Sequence, residues 1–179
     1  MDPTTEILVF DTGPLSHFAQ QNWLGVLKAV VGPRTAMIPD VVVEELKEGA
    51  RRDGRLQEVL NADWIGHREL ITDDEVTAFA RFASFLVKGS RNRGEAAVLA
   101  LASEVDGIAV IDDGAARAVA DTHGVAKRPT LALCCEAIHA NLLTVKLVSS
   151  LADDLLASEY RLPFGPGGFE RWATEQGMI

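Results

Sequence analysis

The sequence predicts an α/β fold, a three-layer domain whose mainly parallel central sheet is flanked by helices, and three observations carry that prediction. Apolar runs of strand length alternate with segments of helical periodicity along the whole chain. Two of those runs, Ile7-Leu8-Val9-Phe10 and Ile108-Ala109-Val110-Ile111, pass directly into carboxylates, Asp11 and Asp112-Asp113. The 179 residues, 47% of them hydrophobic, suit one domain that buries about 70% of its unfolded surface.

The elements follow in order. A strand over about 6–10 leads into a helical stretch over about 13–30, with Leu15, Phe18, Trp23, Leu24, Val26 and Leu27 as its apolar positions. A short strand near Thr35–Ile38 precedes a helix over Val41–Gly49, with Asp40 placed as N-cap and Gly49 as stop. The polar stretch 50–63 is helical in part, and Trp64–Leu70 reads as a strand. Thr72-Asp73-Asp74-Glu75 forms a capping box ahead of Val76, Phe79, Ala80, Ala83 and Leu86, which share one helical face. Asn92-Arg93-Gly94-Glu95 has the same form and opens a helix to about Glu104. After the strand 108–111 come helices over about 114–122, Thr130–Ala140, the Val145–Glu159 region and about 169–176, the last preceded by the loop Pro163–Gly168.

Composition narrows the function. The net charge of −9, from 17 basic and 26 acidic residues, argues against bulk attraction to a polyanion, so such a substrate must be received by local cations. The clusters are Arg51, Arg52 and Arg55, then Lys88, Arg91 and Arg93, then Lys127 and Arg128; the ordinary role for each is a solvated helix end or loop. Cys134 and Cys135 are adjacent in an apolar helical run, which fits buried small residues and neither a disulfide between them nor a zinc site. The acidic start Met1–Glu6 does not resemble a signal peptide and no run is long enough for a membrane span, which together predict a cytoplasmic protein. His17, His67, His123 and His139 lack ligand spacing, and Trp23, Trp64 and Trp172 suit packing.

Strand-end acids in a parallel sheet share one rim, where sites form. Each has a structural use as well: Asp11 and one of Asp112 or Asp113 can cap the helices that follow, Glu45 can sit on a solvated face, and Glu95 can close its capping box. Two acids at 112–113 exceed what one cap requires. Several carboxylates gathered at one rim repel each other and a polyanion, so they are useful with a hard divalent cation, Mg²⁺ or Mn²⁺.

The ordered set resembles a known family. Asp11-Thr12 after the first strand, Glu45-Leu46-x-x-Gly49 in an early helix, Glu95 opening a later one and Asp113 after the next strand resemble the PIN-domain nucleases. Ile38-Pro39-Asp40-Val41-Val42-Val43-Glu44-Glu45-Leu46, Arg93-Gly94-Glu95-Ala96-Ala97-Val98-Leu99-Ala100-Leu101-Ala102 and Ile111-Asp112-Asp113-Gly114-Ala115-Ala116-Arg117 are similar to VapC-type toxins and their prokaryotic relatives. The resemblance covers residues 6–145, implying a PIN-like catalytic domain over 1–145 and a C-terminal helical extension, 146–179, packed on it. Glu95 stands where many members carry Asp, and the stretch 50–90 is longer than in compact toxins.

The resemblance implies a Mg²⁺- or Mn²⁺-dependent endoribonuclease, the toxin of a type II pair, with a cognate antitoxin and a homodimeric state. Asp11, Glu95 and Asp113 are then metal ligands with Asp112 as the alternate to Asp113, and Glu45 is a ligand or a base that orients water. Thr12 holds a ligand or phosphate from behind, and Arg91 and Arg93 receive substrate phosphates at a helix N-terminus. The rival reading is a PIN fold kept as a nucleic-acid-binding or protein-interaction module with a weak site. A haloacid-dehalogenase-type phosphatase needs an Asp where this chain has Gly13, a receiver domain needs its acidic pair on the first strand, and Asp11-Thr12-Gly13-Pro14 offers no dinucleotide fingerprint.

Overall fold

The computed structural model describes residues 6–89, 91–158 and 160–179. Within them five strands build one sheet: β1 (Ile7–Phe10), β2 (Thr35–Pro39), β3 (Ile65–Arg68), β4 (Ile108–Val110) and β5 (Lys127–Arg128). The order is β3-β2-β1-β4-β5 and every pairing is parallel, with Leu8 opposite Ala36 on one side and Ile108 on the other. A parallel sheet is covered on both faces, which is why central β1 is a continuous apolar run whose Leu8, Val9 and Phe10 are fully buried. The chain grows from β1 outward to β3, then returns to the other side of β1 with β4. The carboxyl ends of β1 and β4 therefore flank the switch point of the sheet, where a crevice forms.

The helices are α1 (Thr12–Gln20), α2 (Leu24–Val31), α3 (Asp40–Ala50), α4 (Gln57–Leu60), α5 (Asp73–Leu86), α6 (Arg93–Glu104), α7 (Gly114–His123), α8 (Thr130–His139), α9 (Val145–Ala157) and α10 (Phe169–Glu175). Central among them is α6, buried all round from Ala96 to Ala102 and packed across β1, β2 and β4. Four of those seven residues are alanines, small enough for α3, α5 and the sheet to approach together, and this fixes the N-terminus of α6 at the crevice. The Thr72–Glu75 capping box forms as predicted: Thr72 Oγ1 accepts from the Glu75 N–H at 3.2 Å, and Glu75 accepts from the Ile71 and Thr72 N–H groups and from Arg68. Those donors, the Thr72 amide foremost, hold the Glu75 carboxyl down at about 2 although the side chain is buried.

Four local expectations are corrected. The helical stretch over 13–30 is two helices, because Asn22 adopts φ 60° and the Trp23 N–H closes onto the Phe18 carbonyl at 2.7 Å, a C-cap geometry that asparagine tolerates. Asp40 is the first residue of α3 and not its cap; Pro39 holds the cap position, and Asp40 Oδ1 is buried without a partner. Gly49 does not stop that helix but permits contact, since a Cβ there would lie 2.6 Å from Leu56 Cδ1. Asn92 makes no side-chain cap: at φ 62° it is in the left-handed region, so the box predicted with Glu95 is not built. Lys127–Arg128, too short and polar to be legible as a strand, pairs with β4.

The tail returns to the core. Trp23 Nε1 donates to Asp154 of α9 at 2.9 Å, Phe169 and Ala173 of α10 are fully buried, and Trp172 packs against Phe164 at 5.2 Å between ring centroids.

Candidate active site

Each strand-end acid is held by the element that follows it. Asp11 caps α1, its Oδ2 accepting from the Gly13 N–H at 3.3 Å, and Asp113 caps α7, its Oδ1 accepting from the Ala116 N–H at 2.9 Å. Capping uses one oxygen of each. Asp11 Oδ1 turns instead toward the start of α6, and Asp113 is exposed at the mouth of the crevice.

Glu45 and Glu95 reach the same place from two helices. Glu45 on α3 accepts from the Thr12 hydroxyl through Oε2 and from the Gly94 N–H at 3.1 Å through Oε1, whereas its neighbour Glu44 is exposed and pairs with Lys47 at 2.7 Å. Gly94 is the floor of the arrangement. A Cβ there would sit 2.6 Å from Glu45 Oε2 and 3.1 Å from Asp11 Oδ1, so the two carboxylates occupy the space that a side chain would need.

The electrostatics register this crowding. Burial, then the charges of Glu95 and Glu45, raise the Asp11 carboxyl to about 7 against the pull of the Gly13 and Thr12 amides. Glu95 is raised as well, by burial first, with its own backbone N–H opposing and the Glu45 and Asp113 charges adding. Asp11 and Glu95 are thus both harder to ionise because they are buried among other acids.

A PIN-domain family model matches residues 7–164. The chain belongs to the PIN-domain family. Curated proteins yield no match to it. PIN domains are generally nucleases, so the fold is of nuclease type, and the match runs past 145 to include α9 and Tyr160. Among the described residues no helix is long and apolar enough to cross a membrane.

The PIN domain's donor set fits a hard divalent ion. Among the described residues no three His, Cys, Asp or Glu side chains are grouped so as to hold a metal ion. Mg²⁺ does not require three, because it keeps several waters and takes one or two carboxylates. Asp11 Oδ1 and Glu45, brought together at Gly94, supply oxygen donors of that kind.

Asp112 is engaged differently from Asp113. Its Oδ1 accepts from the Thr130 N–H at 2.9 Å, and its Oδ2 accepts from the Thr130 hydroxyl at 2.5 Å and from the Tyr160 hydroxyl. It therefore ties β4, α8 and the tail together. Tyr160 sits edge-on to His17, with ring centroids 4.6 Å apart, and His17 Nδ1 lies 3.2 Å from Ser158 Oγ. Burial lowers the His17 pKa against the opposing pull of Asp112. His17, Tyr160 and Arg161 share with Asp11 and Asp113 a groove of about 360 Å³, and sequence reasoning assigned none of the three to the site. His17 had one signal: four residues beyond Gly13 on a helix, its side chain leans back over the first turn.

On the Glu45 side a second groove contains Arg52 and Arg93. Arg93 is thus beside the acids; Arg91 belongs to the Lys88–Arg91 turn and lines neither groove. Most other predicted basic residues are satisfied locally, Arg51 and Arg52 by Glu48, Arg55 by Asp53, Lys127 by Asp121 and Arg128 by Glu136.

Gly94→Ala should leave folding intact and reduce activity. The new methyl pushes the Glu45 carboxylate off its bonds to Thr12 and the Gly94 N–H, and alanine in place of glycine in a helix offsets that loss by up to about 1 kcal/mol. A stable variant with undiminished nuclease activity would show that the Glu45 position does not matter.

Proposed function

We propose that this PIN domain is a Mg²⁺- or Mn²⁺-dependent endoribonuclease. The observation that carries the reading is that Asp11 and Glu45 meet at Gly94 beside the switch point, where the missing side chain lets both carboxylates reach the start of α6, with Glu95 and Asp113 near enough to act on one another by charge. Asp11, Glu95 and Asp113 would hold the ion, with Glu45 as a further ligand or as the group that orients the attacking water. When bound, a divalent ion supplies Lewis-acid activation of water and neutralises charge developing on the phosphate.

The chain's own residues prepare that chemistry. The Thr12 hydroxyl and Gly94 amide fix the Glu45 rotamer, and the Gly13 and Ala116 amides fix Asp11 and Asp113. Asp11 must release its proton before it can hold a cation, so metal binding should strengthen as pH rises toward about 7. Arg93, at the start of α6 beside Glu45, attracts the substrate phosphates that the acids repel. Water adds to phosphorus, the ribose oxygen leaves with a proton, and the strand is cut.

Similarity of the segments around Glu45, Glu95 and Asp113 to VapC-type toxins supports a toxin role, a cognate antitoxin that covers the site, a homodimer and a cytoplasmic location. The deciding experiment incubates purified protein with single-stranded RNA in Mg²⁺ or Mn²⁺. Cleavage should appear, stop on chelation, and collapse in Glu95→Gln, which keeps size while losing charge. Since Asn92 and Glu95 build no capping box, Glu95→Gln loses no cap, and removing a charge disfavoured by burial should leave the metal-free variant melting at or above wild type near neutral pH. Undiminished cleavage in chelator would end the metal reading.

A further inference from the structure

A cavity of about 490 Å³ lies between the start of α8, α7 and the C-terminal tail. We propose that it seats an unpaired nucleobase of the RNA substrate next to the cleavage site, an assignment that rests on the ribonuclease reading above.

Continuity is the first argument. The cavity shares Asp112, Tyr160 and Arg161 with the groove that contains Asp11 and Asp113, so a strand crossing the acids on that side runs directly into it. Its size is that of a small-ligand pocket, which spans about 300–1,000 Å³. Its walls are apolar, from Leu131, Ala132, Leu162, Trp172 and Met178. Charge is the second argument: in a chain of net charge −9, two arginines, Arg117 and Arg161, line this one cavity. Arg117 is held in place, its Nη1 donating to the Asp112 carbonyl at 2.8 Å, and Trp172 is braced by Phe164 and Phe169.

An apolar, aromatic-walled recess with fixed cations is the combination that single-stranded RNA requires, stacking for the base and positive charge for the adjoining phosphates. A base inside a duplex cannot enter it. The substrate class is therefore RNA with an unpaired nucleotide beside the scissile bond. Trp172 and Met178 lie beyond the stretch matched by the family model, which places this selectivity partly in the chain's own tail.

The test measures binding apart from cleavage. An Asp11→Asn chain is titrated, by fluorescence anisotropy, with two labelled single-stranded RNAs of equal length, one base-bearing and one abasic throughout. Base stacking should favour the base-bearing strand about tenfold. Ala132→Phe on the same background puts a ring into the cavity where the base would stack and should abolish the preference without changing abasic affinity. If that variant lacks a cooperative melt, Ala132→Leu replaces it. Arg161→Ala should weaken both RNAs and lower the salt slope by about one. Equal binding of the two RNAs, or a preference that survives filling of the cavity, overturns the proposal. Metal-dependent cleavage by the wild-type chain without base preference would remove the pocket alone, whereas preference without any cleavage would remove the nuclease reading and, with it, the pocket as a substrate subsite.

Discussion

Asp11→Asn is expected to stabilise the metal-free protein at about pH 8 while cleavage falls by 10²-fold or more, beyond the roughly 10–100-fold typical of losing a group that only orients a ligand. Asparagine caps helices as well as aspartate and can keep the Gly13 N–H bonded, so the fold loses little. The charge is what disappears. In the folded chain the Asp11 carboxyl is raised from 3.8 to about 7, chiefly by burial and then by Glu95, so folding binds its proton. Its stabilising contribution is complete below the unfolded value and is lost as pH rises through the folded one. Each tenfold change in proton affinity corresponds to about 1.4 kcal/mol; sharing the penalty with Glu95 leaves a gain of roughly 2 kcal/mol for the variant, or on the order of 5 °C in Tm.

Melts of both proteins in chelator across about pH 4 to 8 check this, with the gap opening as pH rises. Added Mg²⁺ or Mn²⁺ should raise the wild-type Tm and leave the variant nearly unmoved, because an ion that binds only the native state stabilises it by mass action. Parallel melting curves at every pH would mean that Asp11 carries no buried charge.

The second large effect separates two adjacent aspartates. Asp112→Ala removes the acceptor for the Thr130 N–H, the Thr130 hydroxyl and the Tyr160 hydroxyl at once, with Thr130 1% exposed. Unsatisfied buried donors cost about 1–3 kcal/mol each, so a total loss of about 3 kcal/mol, near 9 °C, is expected, with the tail released from β4. Asp113→Ala loses only a cap on an exposed residue, about 1 kcal/mol, but removes a carboxylate from the site. Thermal melts should place Asp112→Ala well below Asp113→Ala, while cleavage per folded molecule drops further in Asp113→Ala. The reverse order would exchange the roles given to the pair.

The sequence by itself determined much of this protein, because the relevant signals are local. Apolar runs that end in acids marked β1 and β4, the spacing of Thr72 and Glu75 wrote its own cap, and Asp11, Glu45, Glu95 and Asp113 could be named because their ordered set resembles that of PIN-domain nucleases. Where local signals misled, the backbone or a neighbour in space had overruled them: Asn92 adopts the left-handed region and leaves the Glu95 box unbuilt, and Gly49, placed as a helix stop, serves contact with Leu56. Tertiary structure alone supplied the bonds that divide each adjacent pair. It chose Glu45 over Glu44 through bonds to Thr12 and Gly94, and gave both oxygens of Asp112 to Thr130 and Tyr160. Those partners lie 33, 49, 18 and 48 residues away in the chain, so no periodicity or cap rule encodes them. They exist because the parallel sheet sets the ends of β1 and β4 side by side and buried α6 carries Gly94 up to them, close enough for a missing Cβ to matter.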